Sequence, residues 1–217
     1  MGAYGLVIFD SDGVVVDSEP LAARAMSETL GSVGVAMTAE ECDRAFRGGS
    51  LRRDRQVIEA MIGTRLPPEF ERRVMDRLMT FIAEGLQPVA GIEEVLDRIE
   101  AAHLPYCLAS SGRREKVGFA LEKAGLASRF AGRWWGAEDV PKGKPAPDLF
   151  LLASSSMGVP PDRCVVVEDS VLGVQAARAA GMTVLGFAAS GITPAERLAG
   201  ADRVFEDMSE LPALLLA

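Results

Sequence analysis

Short apolar runs punctuate the chain, and several of them stop abruptly at a polar residue. Leu6-Val7-Ile8-Phe9 ends at Asp10, and similar runs recur at Tyr106-Cys107-Leu108-Ala109, Cys164-Val165-Val166-Val167 and Val184-Leu185-Gly186-Phe187. Apolar residues without alternation mark a strand covered on both faces, the pattern of a buried parallel sheet. Between the runs the period changes. Ile92, Val95, Leu96 and Ile99 fall at i, i+3, i+4 and i+7, the spacing of a helix with one apolar stripe. Val171 to Ala180 reads as another helix, stopped by Gly181. Strands alternating with helices from Pro88 onward predict an α/β fold: a doubly wound, parallel-sheet, Rossmann-like core with right-handed crossovers.

The stretch from Val16 to Gln87 breaks this rhythm. It contains no strand pattern and reads as helices over Glu19 to Leu30, Leu51 to Ile62 and Pro67 to Glu84, with Pro67-Pro68 suited to opening the last. The first strand needs the later strands to complete a sheet, so a helical block inserted after it must be a separate small domain. The expected division is a Rossmann-like core of residues 1–15 and 88–217 and an all-helical cap of residues 16–87, with hinges at the two joints.

Composition narrows the partners. With 217 residues, 48% of them hydrophobic, the chain can bury a core. A net charge of -8 argues against nucleic acid, whose backbone demands clustered Lys and Arg. No apolar run nears the roughly 20 residues that span a bilayer, so no membrane partner is expected. No positive charge precedes Leu6 to mark a signal peptide. Three cysteines without CxxC spacing fit a reducing compartment, and a cytoplasmic location is the expectation.

Ligands of open α/β sheets bind at the carboxyl ends of the strands. There the sequence collects Asp10-Ser11-Asp12-Gly13, Ser110-Ser111-Gly112 and Glu168-Asp169-Ser170, with Lys142-Gly143-Lys144-Pro145 in a nearby loop. Carboxylates gathered at one edge raise one another's pKa unless a cation offsets them. Oxygen ligands suit Mg²⁺, whereas the single His103 and scattered cysteines cannot build a zinc site.

These four segments together resemble the haloacid dehalogenase superfamily, in its β-phosphoglucomutase-like and sugar-phosphatase branch with a helical cap. Asp10 through Glu19 is similar to the first motif at nearly every position, Ser110 to the second, Lys144-Pro145 to the third and Glu168-Asp169 to the fourth. The resemblance implies a phosphatase, a monomer or weak dimer, whose partner is a small phosphorylated metabolite (a sugar, sugar-acid or polyol phosphate), with Asp10 the nucleophile and Asp12 the general acid and base. It implies that Mg²⁺ is held by Asp10, the Asp12 carbonyl, Asp169 and Glu168, while Ser110 and Lys144 hold phosphoryl oxygens. Asp12 separates this chain from the dehalogenases, which lack the second Asp because a halide needs no proton.

Ser111 beside Ser110, and Arg47, Gly48 and Ser50 in the cap, are further candidates for substrate contact; an exposed surface loop is the competing reading of the cap segment. The alternative activity is phosphoglucomutase-type transfer between sugar positions. Mutases of this branch tend to carry a His and an Arg where this chain has Ala22 and Leu51, although Arg52 adjoins the latter. A non-catalytic phospho-receiver module is the remaining alternative, but receivers have neither the helical insertion nor an Asp placed as Asp12 is.

Overall fold

The computed structural model of the chain describes residues 4–47, 51–189 and 195–216. The apolar run Leu6–Phe9 forms β1, with all four residues buried. Four helices follow: α1 (Glu19–Gly31), α2 (Ala39–Phe46), α3 (Leu51–Ile62) and α4 (Phe70–Gly85). Then come α5 (Ile92–Ala101), β2 (Tyr106–Ala109), α6 (Arg114–Lys123), β3 (Trp134–Trp135), α7 (Asp148–Ser156) and β4 (Cys164–Glu168). The chain continues through α8 (Val171–Ala179), β5 (Thr183–Phe187), β6 (Arg203–Phe205) and α9 (Leu211–Leu216).

Among the described residues the strands form one six-stranded parallel sheet in the order β3-β2-β1-β4-β5-β6. The α/β Rossmann-like architecture read from the apolar runs is therefore present. The order turns at β1, whose two neighbours are β2 and β4, and that is the switch point at which such sheets open a crevice. Leu6, Ile8, Cys107, Val166 and Val184 pack with Leu149, Phe150 and Ala177 into a buried apolar core. The buried thiols Cys107 and Cys164 are held protonated there, because burial raises their pKa.

The strands missed by the apolar pattern are the sheet's edges. β3 has only the two tryptophans, each half-buried, and β6 has three residues of which only Phe205 is buried. The missed helix, α2, opens on a capping box: Thr38 Oγ1 accepts from the Glu41 amide at 3.2 Å, and Glu41 Oε2 accepts from the Thr38 amide at 2.8 Å. Pro67-Pro68 lie ahead of α4, which begins at Phe70 rather than at the prolines.

The chain divides into two compact units, Met1–Val16 with Pro88–Ala217, and Asp17–Gln87. In the helical unit α1 packs on α2 and α4. Arg55 ties α3 to α4. Its guanidinium donates to both Glu71 carboxylate oxygens (2.5 and 2.8 Å), to Glu59 (2.8 Å) and to the Leu66 and Pro67 carbonyls (2.9 and 2.5 Å). Charged hydrogen bonds of this kind are worth about 1.5–3 kcal/mol. Arg55→Met is therefore expected to lower stability by about 2 kcal/mol, read as a fall in the thermal midpoint.

Candidate active site

Strand register gathers the candidates. Phe9 lies level with Leu108 on one side and Val167 on the other, so the next residue along each strand carries the chain to one edge: Asp10, Ala109 and Glu168. The Asp10 amide donates to the Val167 carbonyl at 3.0 Å. Beyond it the chain turns at once. The Ser11 carbonyl accepts from the Val15 and Val16 amides at 2.9 and 3.0 Å, and the Gly13 amide donates to the Val16 carbonyl at 2.9 Å.

Two glycines make room for carboxylates at this edge. Gly13 has φ of 79°, and a Cβ there would lie 2.2 Å from Asp169 Oδ2, so Asp169 rests against the Asp12–Gly13 turn. A Cβ at Gly173, in the first turn of α8, would lie 1.7 Å from Glu168 Oε1. Its absence lets Glu168 face the amino end of α8, where Oε2 accepts from the Ser170 amide at 2.7 Å. Ser170 caps the same helix by accepting from the Gly173 amide at 3.0 Å.

Lys144 ties the cluster together. Its Nζ donates to Asp10 Oδ1 at 2.5 Å, to Glu168 Oε1 at 2.7 Å and to the Ala109 carbonyl at 3.2 Å, and its side chain is 3% exposed. Burial disfavours the ammonium, but Asp10 and Glu168 outweigh that and raise its pKa, so it stays charged. Asp10 is pushed up to about 7, first by burial and then by Glu168 and Asp12, with Lys144 pulling the other way.

The remaining candidates divide. Ser110 is buried, its Oγ accepts from the Gly112 amide at 3.0 Å, and its own amide donates to the Trp135 carbonyl at 3.0 Å. Ser111 is exposed, as is Lys142. Arg47 closes α2 and is engaged by Asp43 at 2.6 Å and by Glu19 at 3.9 Å within the helical unit. Gly48 and Ser50 lie outside the described residues. One contact had no counterpart in the sequence motifs: Lys116, in the first turn of α6, forms an ion pair with Asp12. Its only signal was a cation placed where a helix favours anions.

The sequence model of the haloacid dehalogenase-like hydrolases matches residues 4–181, a span that takes in all of these groups. The chain belongs to that family. Among relatives of this haloacid dehalogenase-like hydrolase is the 6-phosphogluconate phosphatase of Escherichia coli K12, 29% identical over 190 residues, covering 87% of this chain and 85% of the relative. Hexitol phosphatase A of the same organism is 30% identical over 205 residues, covering 94% and 91%. A conserved haloacid dehalogenase-like protein of Agrobacterium tumefaciens C58 superposes with a TM-score of 0.88 at 36% identity, covering 97% of both chains. Relatives of the chain thus include phosphatases of sugar-acid and hexitol phosphates.

The donors of the haloacid dehalogenase-like edge fit a hard cation. They are oxygens, and Glu168 and Asp12 each act to raise the pKa of Asp10, a like-charge repulsion that a cation among them would relieve. Among the described residues no three His, Cys, Asp or Glu side chains gather closely enough to hold a metal alone. A cation here therefore needs main-chain oxygen, water and substrate as further ligands, which is how Mg²⁺ is commonly held.

Proposed function

We propose that this hydrolase is a Mg²⁺-dependent phosphatase of a small phosphorylated sugar, sugar acid or polyol, acting through a phospho-aspartate on Asp10. The observation that carries the reading is the buried Asp10–Lys144–Glu168 cluster at the switch point of the sheet, with Asp12 two residues beyond the nucleophile. A buried carboxylate with a fixed ammonium on one oxygen is an oriented nucleophile. Asp10 attacks phosphorus, Asp12 protonates the departing alkoxide, and Asp12 then takes a proton from the water that attacks the phospho-aspartate. Lys144 and the Ser110 hydroxyl, with the main-chain amides after Asp10 and Ser110, hold the other phosphoryl oxygens.

Asp10, the Asp12 carbonyl and Asp169 would hold the metal, with Glu168 keeping Lys144 in place and reaching the metal through water. Bound there, Mg²⁺ would supply charge neutralisation for nucleophile and phosphate together. The helical residues 16–87 supply substrate selection. The sugar-acid and hexitol phosphatases among the relatives support the substrate class.

The test is a panel of sugar, sugar-acid and polyol phosphates, assayed with Mg²⁺ and with chelator, and scored for both free phosphate and isomerised product. Phosphate released only with metal is the expected result. Isomer without phosphate would make the chain a mutase, and chelator-insensitive release would remove the metal from the account.

A further inference from the structure

Lys116 lies outside the four motifs, yet its Nζ donates to Asp12 Oδ1, 104 residues away along the chain. Four features mark the contact as built. A cation in the first turn of a helix opposes the macrodipole, so its place needs a compensating partner. The neighbouring Arg114 is committed elsewhere, to Asp139 at 2.8 Å and over the Trp134 ring at 4.4 Å, while Lys116 turns to the strand edge. Its stem crosses Gly112, where a Cβ would meet Lys116 Cδ at 3.3 Å and Val117 Cγ2 at 3.1 Å. The Lys116 and Asp12 side chains are only 13% and 23% exposed, whereas a lysine with no task at a helix end would keep its ammonium in water.

We propose that Lys116 is a positioning residue for proton transfer at Asp12. The proposal rests on the reading of Asp12 as general acid. In the first half-reaction a bond forms between Asp10 and phosphorus and the bond from phosphorus to the leaving oxygen breaks. The electron pair stays on that oxygen, which takes the proton from Asp12. Asp12 is left as a carboxylate, and the Lys116 ammonium is already beside the oxygen on which that charge grows; Lys116 keeps its own protons throughout. Asp10 and Asp12 thus each pair with a lysine: Lys144 beside the nucleophile, Lys116 beside the acid.

A proton matters only when the leaving group is poor, and this separates positioning from folding. The full-length chain carrying Lys116→Met, with Lys116→Gln as a second neutral replacement and Lys116→Arg as the conservative one, is assayed on an alkyl phosphate and on p-nitrophenyl phosphate. The quantity read is kcat/KM, which covers the steps through formation of the phospho-aspartate. Both neutral variants are expected to lose about tenfold or more on the alkyl phosphate and less than about threefold on p-nitrophenyl phosphate, with Arg restoring most of the loss. Equal losses on both substrates, or no loss on either, would overturn the proposal; thermal melts show whether equal losses come from unfolding. Asp12→Asn is run beside them. If it shows the leaving-group split and the Lys116 variants do not, only the role of Lys116 fails. If it shows none, the acid role of Asp12 fails as well.

Discussion

Asp10→Asn is expected to reduce phosphate release by about 10⁴-fold or more while the protein stays folded, since loss of a covalent nucleophile is among the most severe single changes an enzyme suffers. Asn keeps the size of the side chain, and the main-chain bond from residue 10 to the Val167 carbonyl is untouched. It also removes a buried carboxylate that burial, Glu168 and Asp12 all push upward, so the thermal midpoint should hold or rise. The amide carbonyl would still accept from Lys144, which keeps Glu168 and the Ala109 carbonyl as partners. Saturating-substrate assays beside thermal melts check both halves. Turnover that survives the substitution would show that residue 10 is not the nucleophile.

Lys144→Ala is expected to damage both fold and activity. Removing one member of a buried ion pair strands the other, and here it strands two carboxylates, Asp10 and Glu168, at a cost of about 3–5 kcal/mol. Activity should fall by about 10²-fold or more from the loss of a phosphoryl contact alone. The stability loss has a defined pH sense. A carboxyl whose pKa is raised by folding binds its proton more tightly in the native state, so stability is gained as pH falls through that pKa. Asp10 stands at about 7 even with Lys144 in place, and loss of the lysine moves it higher. The destabilisation should therefore be largest above neutral pH and shrink on acidification, as chemical-denaturant melts across pH would show. A loss that is flat with pH would mean that Lys144 serves packing rather than charge.

Much of this architecture was readable from residue order. β1, β2, β4 and β5 carry Val, Leu, Ile, Cys and Phe in unbroken runs because both faces are covered, and that pattern is hard to mistake. The edge strands β3 and β6 escaped it because an edge needs few residues and little burial. α2 was signalled by Thr38 and Glu41, a capping box whose three-residue spacing carries no hydrophobic signature. At the site, Asp10, Ser110, Lys144 and Glu168 were legible as strand-end and loop groups, because a parallel sheet brings its carboxyl ends together whatever their sequence separation. The tertiary choices were not legible. Nothing local to Glu168 says that one oxygen meets Lys144 and the other the amino end of α8. Nothing local to Lys116 says that its stem crosses Gly112 to reach Asp12.

The central claim is that phosphorus becomes bonded to Asp10. Rapid quenching of the protein during turnover of its best substrate, followed by borohydride reduction and mass spectrometry of the peptide that contains residue 10, tests it directly. An aspartyl phosphate is reduced to homoserine whereas a free carboxylate is not, so homoserine at position 10, dependent on substrate and absent without it, is the result predicted. Steady release of phosphate with Asp10 unreduced, and inversion at phosphorus in place of retention, would contradict it and point to direct attack by water.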